Sequence, residues 1–149
     1  MEQQPLSWSE LGNLISQLTE QVRALHCREP IDRLVGISRG GLPIGVCLSH
    51  RLGLPFTPVE VRSYREDRTQ GDVVLDTPEE VLNRCTGHVL LVDDLADSGR
   101  TFAFLLEKFK ELTGPKITIA TLYYKPTSVI VPHHYVEETS KWIVFPWEE

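Results

Sequence analysis

The apolar positions of the chain first follow a helical period and then shift to short buried runs. Ser7 stands three residues before Glu10, as in a capping box. The apolar residues that follow at helical spacing are Trp8, Leu11, Leu14, Ile15, Leu18, Val22 and Leu25. We expect this helix to end at Arg28-Glu29-Pro30. A short buried strand is predicted from Ile31 to Ile37, and a second helix has Pro43 in its first turn and Gly53 at its end.

The rest of the chain continues the alternation of strands and helices. Strands are predicted at Phe56–Tyr64, Val89–Asp93 and Ile117–Tyr124, and a helix at Phe102–Leu112. A short helix follows Thr77 as its cap, and residues 140–149 form a final strand or cap. This order predicts βαβ crossovers, and therefore an α/β fold with a central parallel sheet flanked by helices. With no repeat or linker, we expect a single domain over residues 1–149.

Composition narrows the functional classes. The 149 residues are 41% hydrophobic and 24% charged, which is typical of a globular protein. A net charge of −6 argues against non-specific nucleic-acid binding but not against small phosphorylated ligands. No apolar run approaches the roughly 20 residues that span a bilayer. Three cysteines without Cys-x-x-Cys spacing, and an N-terminus that does not resemble a signal peptide, predict a reduced, cytoplasmic protein.

Polar residues follow three of the predicted strands, at Ser38, at Asp93 and after Tyr124. Ligands of open α/β sheets lie outside the carboxyl ends of the strands. We therefore expect these three loops to meet at one site.

Residues 93–101 contain the closest grouping of polar and charged side chains that could bind a ligand. Gly99 before a predicted helix exposes backbone N–H groups that bind an anion, and Ser98, Arg100 and Thr101 add donors. The carboxylates that precede them suit sugar hydroxyls or a hydrated divalent cation. One Asp-Ser pair is usually a turn and a helix cap. Three carboxylates and an anion site within nine residues instead indicate a ligand with a sugar diol and a phosphate.

This stretch resembles the phosphoribosyl pyrophosphate (PRPP) signature of type I phosphoribosyltransferases, in which two acidic and two small or apolar residues precede Asp-Thr-Gly-x-Thr. Ser98 replaces the usual threonine. The resemblance implies PRPP binding by Asp93, Asp94, Ala96, Asp97, Ser98, Gly99, Arg100 and Thr101. It places Asp93 and Asp94 near the ribose diol and the waters of a metal ion, with Asp94 as the stronger metal candidate. It also places Asp97 near the purine nitrogen, as the catalytic proton acceptor.

The resemblance extends along most of the chain. Ser38, Arg39 and Gly40 resemble the pyrophosphate loop of the bacterial xanthine-guanine phosphoribosyltransferase group, which carries a non-proline cis peptide. Ser63 and Tyr64 resemble the entry to a mobile flap at residues 65–71. A small C-terminal base-binding hood is implied by three residues that resemble the purine end of that group, Lys125, Trp142 and Ile143.

The base-binding assignments also have a physical reason. A Lys125 ammonium can donate to the oxygen at position 6 of a 6-oxopurine, whereas the amino group of adenine would meet donor with donor. Trp142 offers a face for stacking, and the carbonyl of Ile143 can accept from a base N–H. Core packing for Trp142 and a solvated strand end for Lys125 are the alternatives.

The implied activity is the Mg²⁺-dependent transfer of the phosphoribosyl group of PRPP to xanthine, guanine or hypoxanthine in purine salvage. The family commonly forms homodimers or homotetramers. A regulatory protein that senses PRPP or a nucleotide on the same fold, and a transferase for another base, are the alternatives. His133 and His134 are expected to be a solvated loop pair, since adjacent strand residues point to opposite faces and chelate poorly.

Overall fold

The computed structural model of the chain describes residues 1–63 and 73–149. The helices are α1 (Trp8–Arg28), α2 (Gly41–Leu52), α3 (Glu79–Asn83) and α4 (Arg100–Leu112), with a 3-10 turn at Pro146–Glu148. The strands are β1 (Gln3–Pro5), β2 (Arg33–Ser38), β3 (Phe56–Ser63), β4 (Val73–Leu75), β5 (His88–Ala96), β6 (Lys116–Tyr124), β7 (His134–Glu138) and β8 (Trp142–Val144).

The main sheet has the strand order β4-β3-β2-β5-β6-β7, and its pairs are parallel except for β3 with β4. Apolar side chains alternate between its two faces, as Leu34 and Val35 do on β2. Helices α1 and α2 cover one face, and α3 and α4 cover the other. The predicted α/β fold with a central parallel sheet and helices on both faces is therefore confirmed.

Helix α1 shows the predicted capping box. The Ser7 N–H donates to Glu10 and the Glu10 N–H donates to the Ser7 hydroxyl, both at 3.1 Å. The predicted apolar face is buried from Leu11 to Leu25. Trp8 was wrongly included in that face, since it is 65% exposed. It is the first residue of the helix, and the buried stripe begins only at Leu11.

Three further expectations differ from the structure. Strand β5 does not end at Asp93 but continues to Ala96, because Leu95 and Ala96 pair with Tyr123 and Tyr124 of β6. Thr77 does not cap α3, whose N-cap is Pro78, since the Thr77 hydroxyl instead accepts from the Glu60 N–H at 2.8 Å. His134 lies in β7 and not in a loop, while His133 precedes that strand and its Nδ1 accepts from the Ile119 N–H at 2.9 Å.

Strands β1 and β8 form a separate two-stranded parallel sheet, which we call the terminal sheet. In it Gln3, Gln4 and Pro5 pair with Trp142, Ile143 and Val144. The sequence predicts a final strand or cap over residues 140–149, and the strand found there is β8 at Trp142–Val144. Strand β1 carries no apolar alternation and was not predicted. No helix in the described ranges has the length and apolarity to cross a membrane.

Candidate active site

The site lies where the strand order reverses. From β2 the chain moves outward to β3 on one side, whereas β5 lies against the other side of β2 and leads on to β6. Ligands of doubly wound sheets bind at such a reversal, outside the carboxyl ends of the two strands. Ser38 ends β2, and Asp93 and Asp94 lie near the carboxyl end of β5, at the same edge of the sheet.

The loop after β2 is in direct contact with the acidic strand. The Ser38-Arg39 peptide bond is cis, as the resemblance implies, and the Arg39 carbonyl accepts from the Leu42 N–H at 3.0 Å. A Cβ at Gly40 would lie 2.1 Å from Oδ2 of Asp94. Since real Cβ contacts are never this short, a side chain at residue 40 would displace the Asp94 carboxylate from its position against the loop.

The two adjacent carboxyls of Asp93 and Asp94 are partly buried. Oδ1 of Asp93 accepts from the Asp94 N–H at 2.9 Å. Burial raises the pKa of Asp93 well above its usual value, and the neighbouring Asp94 charge raises it further. Burial also raises the pKa of Asp94 to about 6, against hydrogen bonds from Asp93 and the Leu95 N–H that lower it. A group with hydroxyls or a cation that enters the site would favour the ionised form.

Residues 96–101 form the predicted anion loop at the start of α4. Ala96 is buried at the end of β5, and Gly99 has φ of 81°, a conformation that L side chains rarely adopt. The Arg100 N–H donates to the Ser98 hydroxyl at 3.3 Å, and Thr101 lies in the first turn of the helix. A helix N-terminus after a left-handed glycine is a suitable site for a phosphate group.

The turn after Lys125 packs against the anion loop and forms a hydrogen bond with it. The Val129 N–H donates to the Ser98 carbonyl at 2.8 Å. A Cβ at Gly99 would lie 2.5 Å from the Ser128 hydroxyl oxygen, which leaves no room for a side chain there. Ser128 was missed in the sequence because a Thr-Ser pair after a proline is an ordinary turn.

Lys125 is buried and joins the anion loop to the C-terminal part of the chain. Its side chain is 7% exposed, and its Nζ lies 3.2 Å from Oδ1 of Asp97, whose side chain is 57% exposed. Its backbone N–H donates to the Ala96 carbonyl at 2.9 Å. The ammonium also lies 5.7 Å from the centroid of the Trp142 ring, within cation–π range. The alternative of a solvated strand end for Lys125 is therefore wrong.

The terminal sheet presents Trp142 on its exposed side and Ile143 in the core. Trp142 is about half exposed, so core packing does not account for it. The backbone N–H of Trp142 donates to the Glu2 carbonyl at 2.9 Å, and the Met1 sulfur lies 3.9 Å from the Lys125 ammonium. Neither contact of the first two residues could be read from the sequence, since the partners are more than a hundred positions apart.

A cavity of about 750 Å³ opens beside Arg39, Gly40 and Asp94, and Trp147 and Glu148 also line it. Trp147 stacks on Phe145 with ring centroids 4.8 Å apart, and Glu148 accepts from the Phe145 N–H at 2.8 Å. The C-terminal turn thus forms one wall of this cavity, and the Glu148 charge adds to the raised pKa of Asp94.

The three predicted loops therefore converge, through the close approach of Gly40 to Asp94 and the Lys125–Asp97 ion pair. Ser63 lies at the end of β3, where it pairs with Val73. Tyr64 and the flap predicted at residues 65–71 lie outside the described residues. Within the described ranges, no three histidine, cysteine, aspartate or glutamate side chains form a set of metal ligands.

Known proteins match this arrangement over nearly the whole chain. The phosphoribosyl transferase domain family matches residues 2–149. A xanthine-guanine phosphoribosyltransferase of Cereibacter sphaeroides is 36% identical over 118 residues, which cover 77% of this chain and 68% of that protein. One of Idiomarina loihiensis is 32% identical over 147 residues, or 96% of this chain and 85% of the relative.

A solved structure agrees with these relatives. The purine phosphoribosyltransferase of Pyrococcus horikoshii superposes with a TM-score of 0.84 at 35% identity, covering 100% of this chain and 95% of that one. The fold, the acidic strand with its anion loop and the sequence relationship all lead to one assignment. The chain belongs to the phosphoribosyl transferase domain family.

Proposed function

We propose that this protein transfers the 5-phosphoribosyl group of PRPP to a 6-oxopurine, which gives the nucleoside monophosphate and pyrophosphate. The observation that carries the proposal is the Lys125–Asp97 ion pair at 3.2 Å, because it joins the PRPP signature to a cation suited to a 6-oxopurine. The names of the two xanthine-guanine relatives and of the purine transferase structure support a purine substrate.

Each part of PRPP has a matching set of groups. The N–H groups at the start of α4, with Ser98, Arg100 and Thr101, suit the 5-phosphate. Asp93 and Asp94 suit the ribose hydroxyls, which donate to carboxylates. The Ser38–Gly40 loop lies against Asp94 and offers Arg39 and backbone groups to the pyrophosphate. The protein contributes chiefly by holding sugar, leaving group and base in line.

At the other end of the site, Lys125 would donate to the oxygen at position 6 of the base. An adenine amino group in that place would leave two donors facing each other and unpaired, which selects against adenine. Trp142 would stack on the ring, and the Ile143 carbonyl would accept from a ring N–H. Asp97 lies between this end and the anion loop.

In the reaction, the bond between ribose C1 and the pyrophosphate oxygen breaks and a bond from C1 to a purine nitrogen forms. Positive charge develops on the sugar as in glycoside hydrolysis. The proton of the attacking nitrogen passes to the Asp97 carboxylate, which is half exposed and within reach of the base end. The electron pair of the broken bond leaves with pyrophosphate.

The residues present fit a magnesium ion carried by the substrate. The candidate ligands are carboxylate oxygens, which Mg²⁺ prefers, and no cluster of three metal-ligating side chains occurs among the described residues, so the ion would also need water and phosphate oxygens. Asp94 faces the cavity beside Gly40 and would hold the ion, with Asp93 acting through water. The ion would neutralise charge on the departing pyrophosphate.

A substrate panel tests the proposal. Purified protein with PRPP and magnesium is incubated with each of the six common nucleobases, and the nucleotide and pyrophosphate are quantified. We expect turnover with guanine, xanthine or hypoxanthine and at most a trace with adenine. PRPP binding without turnover of any base would overturn the enzyme assignment and favour a nucleotide-sensing protein.

A further inference from the structure

A second opening lies behind the terminal sheet. It is a groove of about 390 Å³ between α1, the segment after β1 and the ends of β6 and β7, and its described lining shares no residue with the cavity beside Arg39. Helix α1 contributes Glu10, Asn13 and Gln17, whose spacing puts them on one side of the helix. The polar lining is completed by Gln4 of β1, Tyr123 of β6 and Glu137 of β7.

The charge of this groove is one-sided. Two of its described lining residues, Glu10 and Glu137, are acidic, and none is basic. One oxygen of Glu10 accepts from the Ser7 N–H, while the Glu137 side chain has no hydrogen bond or ion pair with a described residue. The amides of Asn13 and Gln17 add neutral acceptors. Such a lining attracts a positive charge and offers a surplus of acceptors to its N–H groups.

Tyr123 gives a second observation that points into this groove. It is only 1% exposed, and the edge of its ring packs on Phe145 with centroids 6.0 Å apart. Its hydroxyl has no hydrogen-bond partner among the described residues, and since Tyr123 lines the groove, a molecule in the groove can supply one. Burial, together with the nearby carboxylates of Glu137 and Glu10, raises the pKa of Tyr123 to about 12, so the phenol stays neutral.

We propose that this groove binds a small organic cation, an amine or a guanidinium, between Glu10, Tyr123 and Glu137. The Tyr123 oxygen accepts one of its N–H groups, and the two carboxylates neutralise its charge. Pro5 and Leu14, which also line the groove, provide apolar surface for the carbon stem of such a ligand. A bare metal ion does not suit the site, because the groove is large and no three metal-ligating side chains meet in the described part of the chain.

Calorimetric titration with ethylguanidinium and with 1,4-diaminobutane tests this, with propylurea as a neutral analogue of similar size. The protein is used without PRPP or base, so the result is independent of the transferase activity. We expect saturable binding of both cations at one site, weaker binding at high salt because exposed charges are screened, and no binding of propylurea. Equal binding of propylurea, or no saturable binding of either cation, would overturn the proposal.

Matched variants locate the site. Glu137→Gln and Tyr123→Phe should each weaken cation binding by about twofold to fivefold, as expected for exposed charge pairs and single hydrogen bonds. Glu138→Gln is the control, because Glu138 is the exposed neighbour on β7 and is not part of the groove lining. It should leave the affinity unchanged.

The Tyr123→Phe variant should fold normally, because the Tyr123 hydroxyl bonds to no described residue. The thermal stability of this variant should match that of the wild type. Should it nevertheless unfold, Glu137→Gln decides the matter, because Glu137 is an exposed residue. Cation binding that survives Glu137→Gln unchanged, or that Glu138→Gln weakens equally, would place the cation elsewhere and refute the proposal.

Discussion

The ammonium of Lys125 lies 3.2 Å from Oδ1 of Asp97, so the side chain proposed to recognise the base is paired with the one proposed to receive its proton. Lys125 is buried and Asp97 is half exposed. A base that accepts a hydrogen bond from the Lys125 ammonium also changes the electrostatic environment of Asp97. Recognition and proton transfer are thereby linked through one ion pair, and replacing either partner has a distinct kinetic effect.

Lys125→Ala should raise KM for the base by about tenfold to a hundredfold, because a hydrogen bond from a charged donor is lost inside the site. KM for PRPP should change much less. Steady-state kinetics with each substrate varied in turn measures both values. Lys110→Ala removes an exposed lysine from α4 and serves as the control. An unchanged KM for the base would exclude Lys125 from the base site.

Asp97→Asn should lower kcat by about a hundredfold or more, the range for loss of a general base, while KM for PRPP changes little. The change also leaves the buried Lys125 ammonium without its ion-pair partner, so the melting temperature should fall, and the rates are compared at a temperature where both proteins are folded. Single-turnover measurements with PRPP and guanine would isolate the chemical step. A full rate in the variant would reduce Asp97 to a partner of Lys125.

Gly40→Ala should impair the enzyme through one added methyl group. That carbon would lie 2.1 Å from Asp94 Oδ2, so the loop and the carboxylate must separate, and we expect kcat/KM for PRPP to fall by more than tenfold. Gly12→Ala is the matched control, because a Cβ there meets no described atom within 4 Å. It lies within α1 and should stabilise the protein by up to ~1 kcal/mol without changing the kinetics. Equal kinetics in both variants would contradict the contact.

Asp94→Asn should make the protein inactive and more stable at neutral pH. The folded-state pKa of about 6 lies above that of an unfolded aspartate, about 3.9, so the folded protein binds more protons between these values. Its stability relative to the variant therefore falls as pH rises through this window. Urea unfolding should show an advantage for Asn on the order of 2 kcal/mol at pH 7.5 and a smaller one at pH 4.5. Equal differences at both pH values would refute the shift.

Periodicity was sufficient for α1 and for the inner strands β2, β5 and β6, since their apolar stripe and apolar runs are long and regular. It did not predict the two edge strands of the main sheet, β4 and β7, which are short and only partly buried. It failed where tertiary contacts override local preference. Aspartate is a poor strand former, yet pairing with β6 carries β5 on through Asp93 and Asp94. The approach of Gly40 to Asp94 and the Met1–Lys125 contact depend on chain segments that no local pattern connects.

The terminal sheet has a consequence for the time at which the site becomes complete. Gln3–Pro5 pair with Trp142–Val144, a closure across almost the whole described chain. Contacts between such distant segments form only after the loop between them has been ordered, and on a ribosome only after β8 has emerged. The segments proposed for PRPP, residues 38–40 and 93–101, are synthesised well before that point. A growing chain would thus acquire its sugar-phosphate half first and its base half last.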